Sequence, residues 1–302
     1  MCVTCGCESA AAGSARQHDH DHAHDHGPAH AAATPAGQGA GLPRGFGVLL
    51  PSATRVVDVE QDLLAKNNRF AAANRRHFAA HGVLALNLVS SPGSGKTTLL
   101  VHTLAALRGR YPLAVIEGDQ QTRLDADRIA ATGAPVVQLN TGKGCHLDAH
   151  QVGHALEELP LSAGGMLFIE NVGNLVCPAA FDLGEAHKVV VLSVTEGDDK
   201  PLKYPDMFRA ADLCVITKTD LLPYVPFSVE RALGAARQVN PRLECLTLSV
   251  TSGSGIDGWL AWLERELAAR RAALGARRRT QAGAQAGERP GPAAMASGSA
   301  GA

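Results

Sequence analysis

Leu84-Ala85-Leu86-Asn87-Leu88-Val89-Ser90-Ser91-Pro92-Gly93-Ser94-Gly95-Lys96-Thr97-Thr98 is the stretch whose reading decides the fold. It opens as a short apolar run, Leu84 to Val89, and passes into a glycine-containing loop. A helix with Leu99, Leu100, Leu104 and Leu107 follows. Strand, glycine loop and helix, in that order, form the context that a phosphate-cradling P-loop requires. Gly93 and Gly95 let backbone N–H groups turn toward phosphates, and the helix N-terminus adds its partial positive charge. The cradle is therefore read as Gly93, Ser94, Gly95, Lys96, Thr97 and Thr98. Lys96 would reach the β- and γ-phosphates, and the Thr97 hydroxyl would ligate Mg²⁺. Ser90 stands where the usual pattern has its first glycine. The competing reading is a glycine-rich turn that binds no nucleotide.

Working outward, residues 55–81 predict a helix, because Val56, Val59, Leu63, Phe70 and Phe78 share one sector and Gly82 supplies a stop. Apolar runs then alternate with helical segments: Leu84–Val89, Leu113–Ile116, Val136–Leu139, Met166–Ile169, Val189–Val194, Leu213–Ile216 and Cys245–Leu248. Such a pattern predicts an α/β fold, a mostly parallel sheet flanked by helices in the manner of a P-loop NTPase. Ligands bind such sheets at the carboxyl ends of the strands, and the remaining motifs sit there. Asp119 and Glu170 each follow a strand and are candidate Mg²⁺ or water-positioning groups, so Lys96, Asp119 and Glu170 are the catalytic candidates. For Asp119 a helix cap is the alternative. Glu170-Asn171-Val172-Gly173 reads as a switch loop whose Gly173 N–H meets a γ-phosphate. Thr217-Lys218-Thr219-Asp220 addresses the base: a carboxylate at Asp220 can accept two hydrogen bonds from guanine, which adenine cannot supply. Lys218 would lie along the base, and Ser249 would help to close the pocket. A capping role for Asp220 is the alternative.

Composition bounds the rest. Of 302 residues, 1–45 and 276–302 are rich in small residues, His and Arg and poor in large apolar ones, so both read as disordered tails around a domain spanning 46–275. A net charge of -1 gives no general signal for nucleic acid or membrane. No run reaches the roughly 18 apolar residues of a spanning helix and no signal peptide is visible, which predicts the cytoplasm. There, the seven cysteines read as thiols and metal ligands rather than disulfides. Cys214 and Cys245, inside apolar runs, read as core residues.

Cys145 and His146 are adjacent and His150 follows one turn later, on one face if 146–159 is a helix. Cys177 lies seven residues beyond Glu170. Thiolate and imidazole together suit Zn²⁺ or Ni²⁺, and unrelated thiols beside surface histidines are the alternative. At the front, Cys2, Cys5 and Cys7 pack three thiols into six residues, enough for a site with the terminal amine or for a reactive tail. His18, His20, His22, His24 and His26 alternate with acidic residues, with His30 beyond, as a weak multi-ion store or as a tag.

Ser90–Thr98, Glu117-Gly118-Asp119-Gln120-Gln121-Thr122, Gly142-Lys143-Gly144-Cys145-His146-Leu147, Glu170 through Pro178 and Thr217–Asp220 together resemble the hydrogenase nickel-incorporation GTPases (HypB). The resemblance covers about residues 55–265, and Met1–Cys7 is similar to a nickel motif of part of that family. It implies a GTPase that uses GTP and Mg²⁺ and forms a GTP-dependent homodimer. It further implies a Ni²⁺ or Zn²⁺ site from Cys145, His146 and Cys177, with His150 as a possible added ligand. The implied task is nickel delivery to the hydrogenase large subunit precursor, with a small zinc-containing accessory protein as partner. Two other functions fit the same residues: a nickel store with a regulatory GTPase, and a related chaperone for urease or a cobalamin enzyme.

Overall fold

The computed structural model describes residues 53–120 and 122–287, and the described residues from Glu60 onward belong to one compact unit. Helix α1 (Ala53–His81) leads into strand β1 (Leu84–Ser90) and helix α2 (Lys96–Leu107). Then come β2 (Leu113–Asp119), α3 (Leu124–Ala130), β3 (Val136–Asn140), α4 (Ala149–Glu158), β4 (Met166–Gly173) and β5 (His187–Ser193). Short helices α5 (Lys200–Lys203) and α6 (Pro205–Ala210) precede β6 (Leu213–Thr217), α7 (Val229–Val239), β7 (Glu244–Thr247) and α8 (Ile256–Gly287).

The strands form one seven-stranded sheet in the order β3-β2-β4-β1-β5-β6-β7, and each pairing is parallel. Seven apolar runs thus became seven strands, because strands covered on both faces need no polar alternation. Side chains still alternate in direction. Leu84, Leu86 and Leu88 pack with Leu99, Leu100 and Leu104 of α2 and Trp259, Trp262 and Leu263 of α8. Ala85 and Val89 face the other layer. Each fully buried leucine contributes about 1.5–3 kcal/mol. The indole N–H of Trp259, buried among them, donates to Thr103 Oγ1 at 2.8 Å, so the core leaves that donor satisfied.

Three sequence expectations need correction. Residues 170–173 are not a loop: β4 runs through Gly173. Helix α4 begins at Ala149 rather than 146, because Asp148 and Gln151 form a reciprocal capping box that fixes the helix start. His146 therefore precedes the helix and shares no helical face with His150. At the other end, α8 continues to Gly287 instead of giving way to a tail at 276, as its run of Ala and Arg favours; Arg277, Arg278 and Arg279 lie exposed along it. Cys214 is buried in β6, opposite half-buried Cys245 of β7.

Candidate nucleotide and metal site

Gly93 (φ 76°) and Gly95 (φ 90°) lie in the left-handed region, the conformation glycine adopts without penalty. They wrap the loop between β1 and α2 around a cavity of about 450 Å³, walled also by the carboxyl ends of β2 and β4 and by Lys218. Two residues missed in the sequence brace this loop. Ser94 Oγ lies 2.7 Å from Glu196 Oε1, and Lys200 Nζ donates to Ser91 Oγ at 3.0 Å while pairing with Glu196 at 3.1 Å. At the rim, Arg128 of α3 donates to the Thr98 hydroxyl at 3.1 Å.

Inside the cavity, Glu170 is buried and accepts from Lys96 Nζ (2.9 Å) and Thr97 Oγ1 (2.5 Å). Glu117 is equally buried. Loss of solvent, reinforced by the charges of Glu170 and Asp119, pushes its carboxyl up to about 8. Glu117 is a site residue that the sequence reading passed over. Its position two before Asp119, on the same face of a strand, was the available signal. Asp119 accepts from the backbone N–H and hydroxyl of Thr122 at 2.8 and 2.7 Å, so it closes a turn before α3 rather than capping that helix. Glu117 Oε2 and Glu170 Oε2 are buried without a hydrogen-bond partner among the described residues. Unpaired carboxyl oxygens beside the Thr97 hydroxyl are oxygen donors of the kind a small cation such as Mg²⁺ takes, once Glu117 gives up its proton to the metal.

At the other end of the cavity, Thr217 Oγ1 donates to Ser94 O at 2.7 Å. Lys218 adopts φ 59°, a conformation that costs a non-glycine residue energy and recurs at functional sites. Its Nζ reaches Gly93 O at 2.7 Å. Asp220 accepts from Ser249 Oγ at 2.5 Å, and Ser249 in turn accepts from Ser252 N at 3.1 Å.

Beside the cavity the ligating atoms of Cys145, His146 and Cys177 all lie within 4.8 Å of one another. Burial lowers the proton affinity of His146, favouring the neutral imidazole that binds metals. The Cys145 thiol is pushed up, first by its hydrogen bond with Cys177 and then by burial. The imidazole of His146 packs on Phe181 at 3.9 Å. Cys177 opens a short 3₁₀ turn, Cys177–Ala179, after β4. The structure does not bring His150 into this group. Its ring packs on Phe70, and its Nε2 lies 3.1 Å from that of His154. Cys2, Cys5, Cys7, His18, His20, His22, His24, His26 and His30 lie outside the described residues.

The two sites share their supports. Gln120 Nε2, just past β2, donates to Gly144 O at 3.1 Å. In β4, Asn171 Oδ1 accepts from Leu147 N at 3.0 Å, and Asn174 beyond it donates to Cys145 O at 3.3 Å. Gly173 lies against the loop at Pro92, whose backbone would be 3.2 Å from an added Cβ.

Comparison with known proteins agrees with this arrangement. The family described as CobW/HypB/UreG, nucleotide-binding domain, matches residues 84–247. The hydrogenase maturation factor HypB of Azotobacter vinelandii is 59% identical over 280 residues, covering 88% of this chain and 92% of that protein. Its counterpart from Escherichia coli K12 is 63% identical over 215 residues, covering 71% and 74%. The crystal structure of HypB from Helicobacter pylori in complex with nickel has a TM-score of 0.63 at 38% identity, covering 67% of this chain and 95% of that one. HypB from Archaeoglobus fulgidus gives the same TM-score and identity, covering 67% and 99%. With the P-loop, the strand-end carboxylates and the thiol–imidazole cluster in place, the chain belongs to the HypB family of hydrogenase maturation factors, within the CobW/HypB/UreG group of nucleotide-binding proteins.

Proposed function

We propose that this protein is a GTP-hydrolysing nickel metallochaperone that delivers Ni²⁺ to the large subunit of a [NiFe] hydrogenase. The observation that carries the proposal is the short path between the two sites. Glu170 holds Lys96 and Thr97 of the phosphate loop, and seven residues later on the same chain segment Cys177 joins Cys145 and His146. Triphosphate on the loop competes with Glu170 for Lys96 and Thr97, and it faces Gly173 across from Pro92. Whatever displaces the end of β4 moves Cys177. By linkage, a metal at Cys177 must alter nucleotide affinity in return.

Within this reading, Gly93, Ser94, Gly95, Lys96, Thr97 and Thr98 hold the phosphates. Thr217, Lys218, Asp220 and Ser249 hold guanine. Thr97 and Asp119, with Glu117 and Glu170 beside them, would hold Mg²⁺, which would supply charge neutralisation on the phosphates. Glu170 would orient the attacking water once Lys96 has turned to the phosphates. Two thiolates and one imidazole are a soft donor set for Ni²⁺ or Zn²⁺, one ligand short of a closed tetrahedral site. The missing ligand, on this reading, comes from the second copy of a GTP-dependent homodimer, or from the accessory protein or hydrogenase precursor at transfer. The N-terminal cysteines and histidines gather nickel in the cytoplasm. The nickel bound in the Helicobacter pylori relative supports the choice of metal.

Purified protein tests this. GTP turnover should vanish in Lys96→Ala and persist in Cys177→Ala. Nickel binding at the described cluster should persist in the first and fail in the second. A Lys96→Ala protein that still hydrolyses GTP at the parent rate would refute the assignment.

A further inference from the structure

Behind the thiol–imidazole cluster runs a chain of buried polar side chains that are not part of the Cys145–His146–Cys177 group, and of which only Asn171 lines the nucleotide cavity. Lys188, in β5, is buried. Its ammonium donates to three backbone carbonyls of the segment just after Cys177: Pro178 O at 2.9 Å, Ala179 O at 3.2 Å and Phe181 O at 3.1 Å. An ammonium has three protons, so all are used on one turn of chain. Glu185 Oε1 lies 3.9 Å from the same ammonium and accepts from Asn87 Nδ2 at 3.1 Å. Asn87 Oδ1 accepts from Asn171 Nδ2 at 3.2 Å, and Asn171 Oδ1 accepts from Leu147 N at 3.0 Å. The path crosses the neighbouring central strands β5, β1 and β4 and ends beside His146.

A second bridge spans the same two segments from the helix side. Asn67 of α1 donates to Asp182 O at 2.8 Å and accepts from Ala149 N at 2.9 Å. One helical stretch further, Asn74 donates to Ala149 O at 2.8 Å and Leu183 O at 3.0 Å. Four buried or half-buried amides and one buried ion pair therefore fasten the Cys145–Ala149 segment to the Cys177–Leu183 segment. Burying so many polar groups is costly unless every one is satisfied and the geometry they fix matters.

We infer that Lys188, with Glu185, Asn87, Asn171, Asn67 and Asn74, is a positioning network that sets the distance of Cys177 from Cys145 and His146 and so preorganises the metal site. It rests on the reading that those three residues hold a metal. The partners of a metal-binding shell commonly govern affinity by about 10–100-fold without touching the ion. Lys188 is a positioning residue in this sense, acting through the backbone of 178–181.

The test uses the full chain carrying Cys2→Ser, Cys5→Ser and Cys7→Ser, titrated with Co²⁺ and read by thiolate-to-cobalt absorption, with GDP affinity measured in parallel. Lys188→Met should weaken Co²⁺ binding by about tenfold or more and shift the absorption band, with GDP affinity unchanged. Lys188→Gln, which keeps N–H donors for the carbonyls, should recover part of the loss. Asn67→Ala, remote from the nucleotide cavity, should weaken Co²⁺ several-fold and gives the reading if Lys188→Met fails to fold. Unaltered Co²⁺ affinity and spectrum in folded Lys188→Met, or in Asn67→Ala, would overturn the network. A parent band indifferent to Cys177→Ser would instead overturn the metal reading beneath it, and the two failures are distinct.

Discussion

Replacing Gly118 by alanine tests how rigidly the nucleotide strand and the metal segment are joined. A Cβ at Gly118 would lie 2.7 Å from Leu147 Cγ and 2.8 and 2.9 Å from its two methyl carbons. Leu147 is fully buried, so it has no open space to swing into. Carbon atoms in contact sit about 3.5–4.0 Å apart, so Leu147 must retreat by roughly 1 Å, taking His146 and Cys145 with it. Overpacking of this kind costs about 1–3 kcal/mol. In a domain this size, each kcal/mol is worth about 2–4 °C in Tm. Calorimetry should therefore record a fall of several degrees. Metal donors tolerate only about 0.2 Å of misplacement, so nickel affinity at the described cluster should drop at least in step. Removing the obstruction with Leu147→Ala makes the effect a cycle. Gly118→Ala should cost markedly less in the Leu147→Ala background than in the parent, since neighbours in contact are not additive. Equal costs in both backgrounds, or a Gly118→Ala protein as stable and as nickel-avid as its parent, would refute the reasoning.

The base pocket makes a second prediction. On the proposed reading, Asp220→Asn replaces one of two carboxylate acceptors for guanine by an N–H donor and takes the charge off the other. A hydrogen bond to a charged group is worth about 1.5–3 kcal/mol, so GTP affinity should fall by roughly tenfold or more while xanthosine triphosphate gains. Unchanged GTP binding would contradict the placement of Asp220. A third concerns pH in the absence of nucleotide and metal. Glu117 ionises at about 8 when folded against 4.5 as its ordinary value, so folding takes up a proton between those limits. Its contribution is fully present below pH 4.5, declines as pH rises and is lost above 8. Denaturant titrations from pH 5 to 9 should show this fall, and Glu117→Gln should flatten it. Identical profiles for the two proteins would count against the assignment.

The sheet was legible in the sequence because buried parallel strands advertise themselves as unbroken apolar runs; all seven were found within a few residues. Legibility failed where polar residues are buried. Glu170 and Asn171 read as loop, yet they complete β4 because Lys96, Thr97, Asn87 and Leu147 satisfy them. The start of α4 was missed because Asp148 and Gln151 form a local capping box that outweighs the histidine spacing. Cys145, His146 and Cys177 were singled out by their chemistry, and their ligating atoms lie within 4.8 Å of one another. Their supports were not singled out, since Asn67 and Asn74 act on partners 75 to 115 residues away in sequence and Lys188 acts on carbonyls 7 to 10 residues back in an irregular segment, and no periodicity records such pairs. Glu196 and Lys200, which brace the phosphate loop from beyond β5, are hidden for the same reason.

The central claim is that one continuous segment joins the phosphate loop to the metal thiol. Its most direct measurement is nickel affinity of the chain carrying Cys2→Ser, Cys5→Ser and Cys7→Ser, taken once with GDP and once with a non-hydrolysable GTP analogue. The account predicts two different affinities, with the difference abolished by Cys177→Ala. The same affinity with both nucleotides would contradict it.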